Sequence, residues 1–222
     1  MFNIIIEDNF RKFVPSYIVG IIEASVVNKP TSSLLMDEIR LCVNNIRKQY
    51  NVDTIKERSG IKATRLAYKN MGKDPSRYRP SCEQLCRRVL QGKELYFIDT
   101  LVDIGNLVSM ESGYSVAVVD SDKISEELIC LGIGKEQEPY EAIGRGVLNI
   151  ANMPVWRDNL GGFATPTSDS VRTMCSAETK NILIIINGYD GNVDALSHAV
   201  DRTIYLLSQY AESDNVKKRI LR

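Results

Sequence analysis

The stretch "RPSCEQLCRRVLQGKELYFIDTLVDIGN", residues 79 to 106, places a helix, a turn and an apolar run in quick succession. Ser81 and Gln84 are three residues apart, which predicts a capping box at the start of a helix. Apolar residues then recur at helical spacing, and Gly92 predicts the end of the helix. The residues predicted to face the core are Cys82, Leu85, Cys86, Val89 and Leu90. The run "LYFID", residues 95 to 99, predicts a short strand.

The rest of the chain supplies further strands and two long helices. Strands are predicted at 17–27, 115–120, 128–133 and 181–187, and helices at 33–50 and 193–209. Strands occur towards both ends, with helices concentrated in the first half and at the C-terminus, so there is no regular alternation of strand and helix. This order favours an α+β fold over a doubly wound sheet. Neither a repeat nor a linker divides the chain, and we expect a single domain over residues 1–222.

Composition places the chain among ordinary globular proteins. Of its 222 residues, 44% are hydrophobic and 25% are charged, enough to bury a core. No apolar run approaches the roughly 20 residues that a membrane helix needs, and Glu7 and Asp8 interrupt the apolar N-terminal stretch. We therefore expect a cytoplasmic protein without membrane contact. The five cysteines are scattered and unpaired in sequence, which favours buried, reduced thiols.

Several classes of enzyme are disfavoured by missing motifs. Gly132-x-Gly134 and Gly144-x-Gly146 both lack the third glycine of a dinucleotide-binding fingerprint. The chain has one histidine, His198, no zinc-spaced cysteines and no GxSxG elbow. We expect neither a metal nor a cofactor.

Charge is unevenly distributed along the chain although the formal net charge is +0. Residues 56–93 contain 11 Lys and Arg against 3 Asp and Glu, whereas residues 120–141 contain seven acids and two lysines. Arg77 and Arg79 precede a helix start, where the helix dipole favours anions. Glu83 lies four residues before Arg87 on the predicted outer face, so an ion pair within the helix would explain the presence of Arg87. Arg77 and Arg79 either contact a ligand or nucleic acid, or pair with the acidic segment 120–141.

A second polar stretch is "DNLGGFATPTSDSVRT", residues 158–173. Two glycines, a proline and five hydroxyl-bearing residues surround Asp169 and Arg172, which is typical of a loop that binds a small polar ligand. A simple turn capped by Asp or Ser fits the same composition.

Taken together, these stretches resemble a known family. "YRPSCEQLCRRVLQGKELYFIDTLVDIGNLVSMESGYSVAVVDSDKI", then "NIANMPVWRDNLGGFATPTSDSVRT" and "TKNILIII", are similar to the B3/B4 domain, the editing and tRNA-contacting module of the phenylalanyl-tRNA synthetase beta subunit. The likeness is strongest to free-standing members and covers about residues 56–210. It implies a compact mixed β-structure surrounded by helices, with residues 1–55 forming N-terminal strands and a helix packed onto it.

The resemblance also implies a function, the hydrolysis of the ester of mischarged tRNA or a related aminoacyl compound. The alternative is a non-catalytic module that binds tRNA or an amino-acid-like ligand. Ala117 supports this alternative because the synthetase has a histidine two residues after the position of Ser115. The implied catalytic residues are Asn106, Ser168, Asp169 and Ser170, and the implied substrate-binding residues are Arg77, Arg79, Gly161, Gly162, Thr165, Thr167, Arg172 and Thr173.

Two of these residues are assigned individual roles. Asp169 would bind the α-ammonium group, and Arg172 would orient that carboxylate or meet the terminal phosphate. A salt bridge between them that merely holds the loop is the competing interpretation.

Overall fold

The computed structural model describes all 222 residues and contains ten strands and six α-helices. This mixture confirms the α+β class. The strands are β1 (Asn3–Ile6), β2 (Ile18–Ser25), β3 (Ser115–Asp120), β4 (Leu128–Ile133), β5 (Glu141–Ala142), β6 (Gly146–Val147), β7 (Pro154–Asp158), β8 (Gly161–Ala164), β9 (Asn181–Gly188) and β10 (Asp214–Leu221). The helices are α1 (Asp8–Phe13), α2 (Ser33–Gln49), α3 (Ser59–Asn70), α4 (Ser81–Leu90), α5 (Thr100–Ser112) and α6 (Val193–Tyr210).

The central sheet is antiparallel and has the order β10-β2-β9-β3. β2 and β9 pair along their full lengths, from Ile18 opposite Gly188 to Ser25 opposite Asn181. β9 is apolar on both faces because both faces are covered, which explains its continuous run of Ile and Leu. The predicted strands at 17–27, 115–120, 128–133 and 181–187 are therefore confirmed within two residues at each end.

A second sheet lies on one side of the central sheet. Its order is β1-β4-β7-β8, with β1 parallel to β4 and the remaining pairs antiparallel. A core of 18 buried residues, which includes Leu183, Ile185 and Trp156, fills the space between the two sheets. The two sheets thus face each other and enclose this apolar core.

Helices cover the other face of the central sheet. α2, α4, α5 and α6 pack there around a second core of 29 buried residues, to which β9 contributes Ile182, Ile184 and Ile186. All five cysteines are free thiols, and four of them are buried. None of the six helices combines the length and apolar character needed to cross a bilayer.

The predicted strand at 95–99 is wrong. Residues 93–98 run without a paired strand, and Asp99 caps α5 by accepting a hydrogen bond from the Val102 N–H at 2.9 Å. Residues of high β propensity form a strand only beside another strand, and this segment lies instead over α2 and α4. We call residues 93–98 the strap.

The predicted capping box is also wrong. α4 begins at Ser81 with Pro80 at the N-cap position, and no side chain caps it. The Ser81 N–H donates to the Pro166 carbonyl at 2.7 Å, and the Gln84 amide donates to the Arg79 carbonyl at 2.6 Å. The loop that contains Pro166, far away along the chain, therefore accepts a hydrogen bond from a backbone N–H at the start of this helix. No local sequence pattern could reveal this contact.

Candidate functional site

The Gly- and hydroxyl-rich stretch forms a tight loop between β8 and the 3-10 turn at Val171–Thr173. Thr165 organises it, because its hydroxyl oxygen accepts from the Thr167 N–H at 3.2 Å and the Ser168 N–H at 3.1 Å. The same hydroxyl donates to the Ser168 carbonyl at 2.9 Å, and the Tyr140 hydroxyl donates to that carbonyl at 2.8 Å. The backbone from 165 to 168 is therefore fixed from within and from one side.

This loop packs directly on an arginine-rich region at the start of α4. We call this region, which contains Arg65, Arg77, Arg79 and Arg87, the basic corner. The Thr167 hydroxyl donates to the Tyr78 carbonyl at 3.0 Å and lies 2.8 Å from the Tyr68 hydroxyl. The Gln84 amide bridges the two segments, because it donates to the carbonyls of Arg79 and Thr167. Arg145 also hydrogen bonds to Gln84. The structure thus brings together the "RPS" and "PTSDS" motifs, which are more than 80 residues apart along the chain.

Asp169 carries the most perturbed carboxyl group of this loop. Its side chain is half-buried, and burial raises its pKa from 3.8 to about 8, opposed only by the neighbouring Val118 N–H. No arginine or lysine forms an ion pair with it. A carboxyl group with a pKa near neutrality can exchange a proton with bound water or substrate.

Asn106 lies in the helix layer, on α5. It is half-buried and comes directly after Gly105, where an added Cβ would lie 2.5 Å from a methyl group of Val118. Asp169 lies close to the backbone of Val118 on β3, the strand at the free edge of the central sheet, and Asn106 follows the residue that packs on Val118. No contact joins their two side chains.

Arg172 does not orient the Asp169 carboxylate, nor does it form the alternative salt bridge with it. Its guanidinium pairs instead with both oxygens of Asp158, at 2.8 and 2.9 Å. It also donates to the Gly161 carbonyl at 3.3 Å. The physical reason is the turn between β7 and β8, which brings the buried Asp158 within reach of Arg172. Arg172 fastens the loop to its own hairpin.

The remaining residues of the stretch serve mainly internal contacts. Thr173 is fully buried, and Ser170 caps the 3-10 turn by accepting from the Arg172 N–H at 3.3 Å. A Cβ on Gly162 would lie 2.9 Å from Val155, so only glycine fits there without movement. Gly161 has φ +130°, which glycine adopts most readily. Ser168 remains partly exposed, with its hydroxyl donating to the Ile143 carbonyl at 3.2 Å.

Position 117 lies in the apolar core between the two sheets. Ala117 is buried in the core between the two sheets, together with Val119 and Ile185. Two residues earlier, the buried Ser115 hydroxyl lies 3.4 Å from the Cys82 thiol. The chain is therefore apolar where the resemblance implies a histidine.

The basic corner is organised by a buried carboxylate. Glu83, expected on the outer face, is fully buried and lies 2.8 Å from Arg65, 2.8 Å from Arg87 and 3.8 Å from Arg79. Three guanidinium groups around one carboxylate leave an excess of two positive charges. A buried charge must be paired, which is why Glu83 turns inward towards arginines from α3, α4 and the preceding loop.

The two candidate arginines of the corner differ. Arg79 has a side chain 41% exposed, yet its Nε atom is buried without a hydrogen-bond partner. Arg77 is exposed and lies over the Tyr78 ring, 5.5 Å from its centroid. Neither pairs with the acidic segment 120–141, so that expectation is not met.

A separate polar cleft of about 790 Å³ was not foreseen from the sequence. Asp190 stands within it and accepts from the Tyr114 hydroxyl at 3.0 Å, the Ser59 hydroxyl at 2.9 Å and the Asn192 N–H at 3.2 Å. The turn "DGN" before α6 was the local signal, but its partners come from α3 and from the residue before β3 and could not be inferred from it.

Comparison with known proteins decides the family. The family model described as the B3/4 domain matches residues 63–212. The chain belongs to the B3/4 domain family. Among solved structures it is similar to an N-terminal fragment of the phenylalanyl-tRNA synthetase beta-subunit from Pyrococcus horikoshii, with 11% identity and a TM-score of 0.47. That alignment covers 98% of this chain and 50% of the fragment. No curated protein matches the chain.

The matched part of this B3/4 domain begins within α3 and ends just after α6. It contains Asn106, the loop 165–170 and the corner arginines, so every candidate residue lies inside the family region. β1, β2, α2 and β10 lie outside it. No group of three or more His, Cys, Asp or Glu side chains is arranged to hold a metal ion.

Proposed function

We propose that this B3/4 domain binds the aminoacylated end of a tRNA and hydrolyses the ester of a wrongly attached amino acid. One observation carries the proposal: the loop 165–170, which contains the half-buried carboxyl group of Asp169, packs on the basic corner. Contacts of Pro166 and Thr167 thus join the loop that carries a group for proton transfer to the segment that carries cations for phosphates.

The chemistry asked of the protein is modest because an aminoacyl ester is already activated. Attack by water needs a positioned water molecule and a donor to the developing oxyanion, and no protein nucleophile. Asp169 would accept a proton from that water or hold the α-ammonium group, which as a nearby cation would favour its carboxylate form. Asn106 and Ser168 would position the ester and the water.

The first test is deacylation of a panel of correctly and wrongly charged tRNAs. Asp169→Asn and Asn106→Ala should each reduce the rate by about a hundredfold, the scale expected when one positioned polar group is lost from an active site. The matched controls Asp201→Asn and Asn45→Ala, both exposed on helices away from this loop, should keep the wild-type rate. Wild-type rates in both site variants would contradict hydrolysis at this site.

The second test concerns tRNA docking. Arg77→Ala combined with Arg79→Ala should weaken tRNA binding and flatten its salt dependence by about one to two phosphate contacts, because counterion release scales with the phosphates contacted. Hydrolysis of a small aminoacyl ester should stay nearly intact. The control is Lys217→Ala with Lys218→Ala, two exposed cations on β10. Unchanged tRNA binding with a lower melting temperature would assign these arginines to the scaffold.

The second candidate function is binding without hydrolysis, and Ala117 favours it. Ala117 places a methyl group in the core between the two sheets, at the position where the resemblance implies a histidine. Tight binding of aminoacylated tRNA with no turnover of any member of the panel would establish this function instead.

A further inference from the structure

A groove with cationic and aromatic walls lies at the opposite end of α4 from the loop 165–170. It has a volume of about 380 Å³, within the range of about 300–1,000 Å³ typical of ligand sites. α2, the end of α4 and the strap form it, with Ile39, Val43 and Val89 on its floor. Phe97 of the strap closes one wall and keeps 37% of its surface exposed. Nothing in the proposed reaction uses this groove.

The strap next to the groove presents a second aromatic ring. Tyr96 is 73% exposed, and the Arg88 guanidinium lies 4.3 Å from its ring centroid. Arg88 is itself fixed, because its Nε donates to the Glu94 carbonyl at 2.6 Å. One face of the ring is therefore covered by a held cation, and the ring remains largely open to a further stacking partner.

The charges around the groove favour an anion. Its lining contains the three cations Arg40, Arg47 and Lys93 and a single carboxylate, Glu94. The Nε of Arg47 donates to the Val89 carbonyl at 3.0 Å. Neither Arg47 nor Lys93 forms an ion pair with an acidic residue of the chain. Arg40 pairs with Asp37, the one acid that offsets it from outside the groove. An excess of unpaired cations attracts phosphates.

We propose that the groove and strap bind an unpaired RNA strand, with a base stacked on Tyr96 and phosphates held by Lys93 and Arg47. Cations that follow the backbone and aromatic rings that stack bases are the two elements of single-strand binding, and both occur here. The proposal rests on RNA being the partner of the proposed function. It extends the contact surface along α4, whose ten residues span about 15 Å.

The test measures binding of a short, fluorescently labelled oligouridylate by anisotropy. Tyr96→Ala should weaken binding by about tenfold, whereas Tyr96→Phe should bind as the wild type does because stacking is kept. The matched control is Tyr205→Ala: this ring is 51% exposed and also has an arginine, Arg202, 5.6 Å from its centroid. Lys93→Gln should lower the salt slope by about one phosphate contact.

The outcomes separate this surface from the proposed function. If the wild type does not bind oligouridylate, or if Tyr96→Ala binds it as tightly as the wild type, the inference is wrong, even where the corner arginines still govern tRNA binding. If Tyr96-dependent binding persists while no aminoacyl ester is hydrolysed, the surface stands and the hydrolase proposal fails. Equally tight binding of oligoglutamate would overturn the assignment to RNA in favour of an acidic peptide.

Discussion

Asp169 and Asp158 are two carboxyl groups, eleven residues apart, with opposite electrostatic environments. Burial raises the pKa of Asp169 from 3.8 to about 8 because no cation faces it. Burial would also raise the pKa of Asp158, but hydrogen bonds from Arg172 and from backbone N–H groups hold it below its ordinary value. Identical side chains thus contribute to stability with opposite dependence on pH.

This difference gives a prediction for Asp169→Asn. Because the folded-state pKa of Asp169 is raised, its contribution to stability is complete below about pH 4 and is lost as the pH rises towards 8. The neutral amide avoids that loss. The melting temperature of Asp169→Asn relative to the wild type should therefore increase from pH 5 to pH 9, as measured by differential scanning fluorimetry.

Asp158→Asn is the matched comparison. Its carboxylate contributes stability above its ordinary pKa of 3.8, so the variant should melt below the wild type at pH 7, with the deficit shrinking as the pH falls below that value. If both variants followed the same trend with pH, the assigned environments would be wrong.

At the scale of elements, the contact of α5 with β3 depends on Gly105. A Cβ at this position would lie 2.5 Å from a methyl group of Val118, closer than real side chains approach. The helix can come this near to the strand only because the residue lacks a side chain. Asn106 is the next residue of the same helix.

We expect Gly105→Ala to destabilise the fold by about 1–2 kcal/mol in urea unfolding. Overpacking costs about 1–3 kcal/mol, and a better helix residue returns up to about 1. Combined with Val118→Ala, the same change should cost less than the two single changes add up to, because the clashing methyl is gone. Additive losses would show that the contact does not limit how close α5 comes.

The sequence predicted those elements whose own residues show a clear apolar pattern. α2 and α6 have one apolar stripe and were foreseen almost to the residue. α5 was not predicted, because it is buried on nearly all sides and contains a glycine, so that it shows no polar face. β7, β8 and β10 were also missed, since their pairing is decided by distant strands.

The site shows the same limit. The stretch 158–173, predicted to be a loop outside the core, is one only in part: residues 161–164 form β8, and Phe163 and Ala164 belong to the core between the sheets. The predicted pairing of Glu83 with Arg87 is confirmed, but its burial and its second partner, Arg65 in α3, were not predicted. The partner of Arg172 was predicted wrongly, because it pairs with Asp158 in β7. Sequence spacing thus gives ion pairs within a helix, and the partners that come from other elements are decided by tertiary packing.

For the whole molecule, the decisive feature is that an N-terminal strand, β2, lies in the middle of the central sheet. β2 lies between β9 and β10, whereas β1 is at the edge of the second sheet. Removing an edge strand exposes one row of backbone groups, but removing a central strand separates both of its neighbours from each other.

Two deletions should therefore differ sharply. Loss of residues 1–6, which include β1, should leave a folded protein with one cooperative thermal transition at a lower temperature. Loss of residues 1–27, which include β2, should abolish that transition and the near-ultraviolet circular dichroism of the buried Trp156. A cooperative transition in the longer deletion would mean that the family region, residues 63–212, folds without this strand.

The alternation of side chains along β9 has a consequence for how this protein can change during evolution. Even-numbered residues from 182 to 186 enter the helix-side core and odd-numbered residues enter the core between the sheets. A single inserted or deleted residue here would exchange the two sets and disrupt both cores at once. Across descendants of this chain, length variation should therefore be excluded from β9, while compensating exchanges of volume accumulate separately on each of its faces.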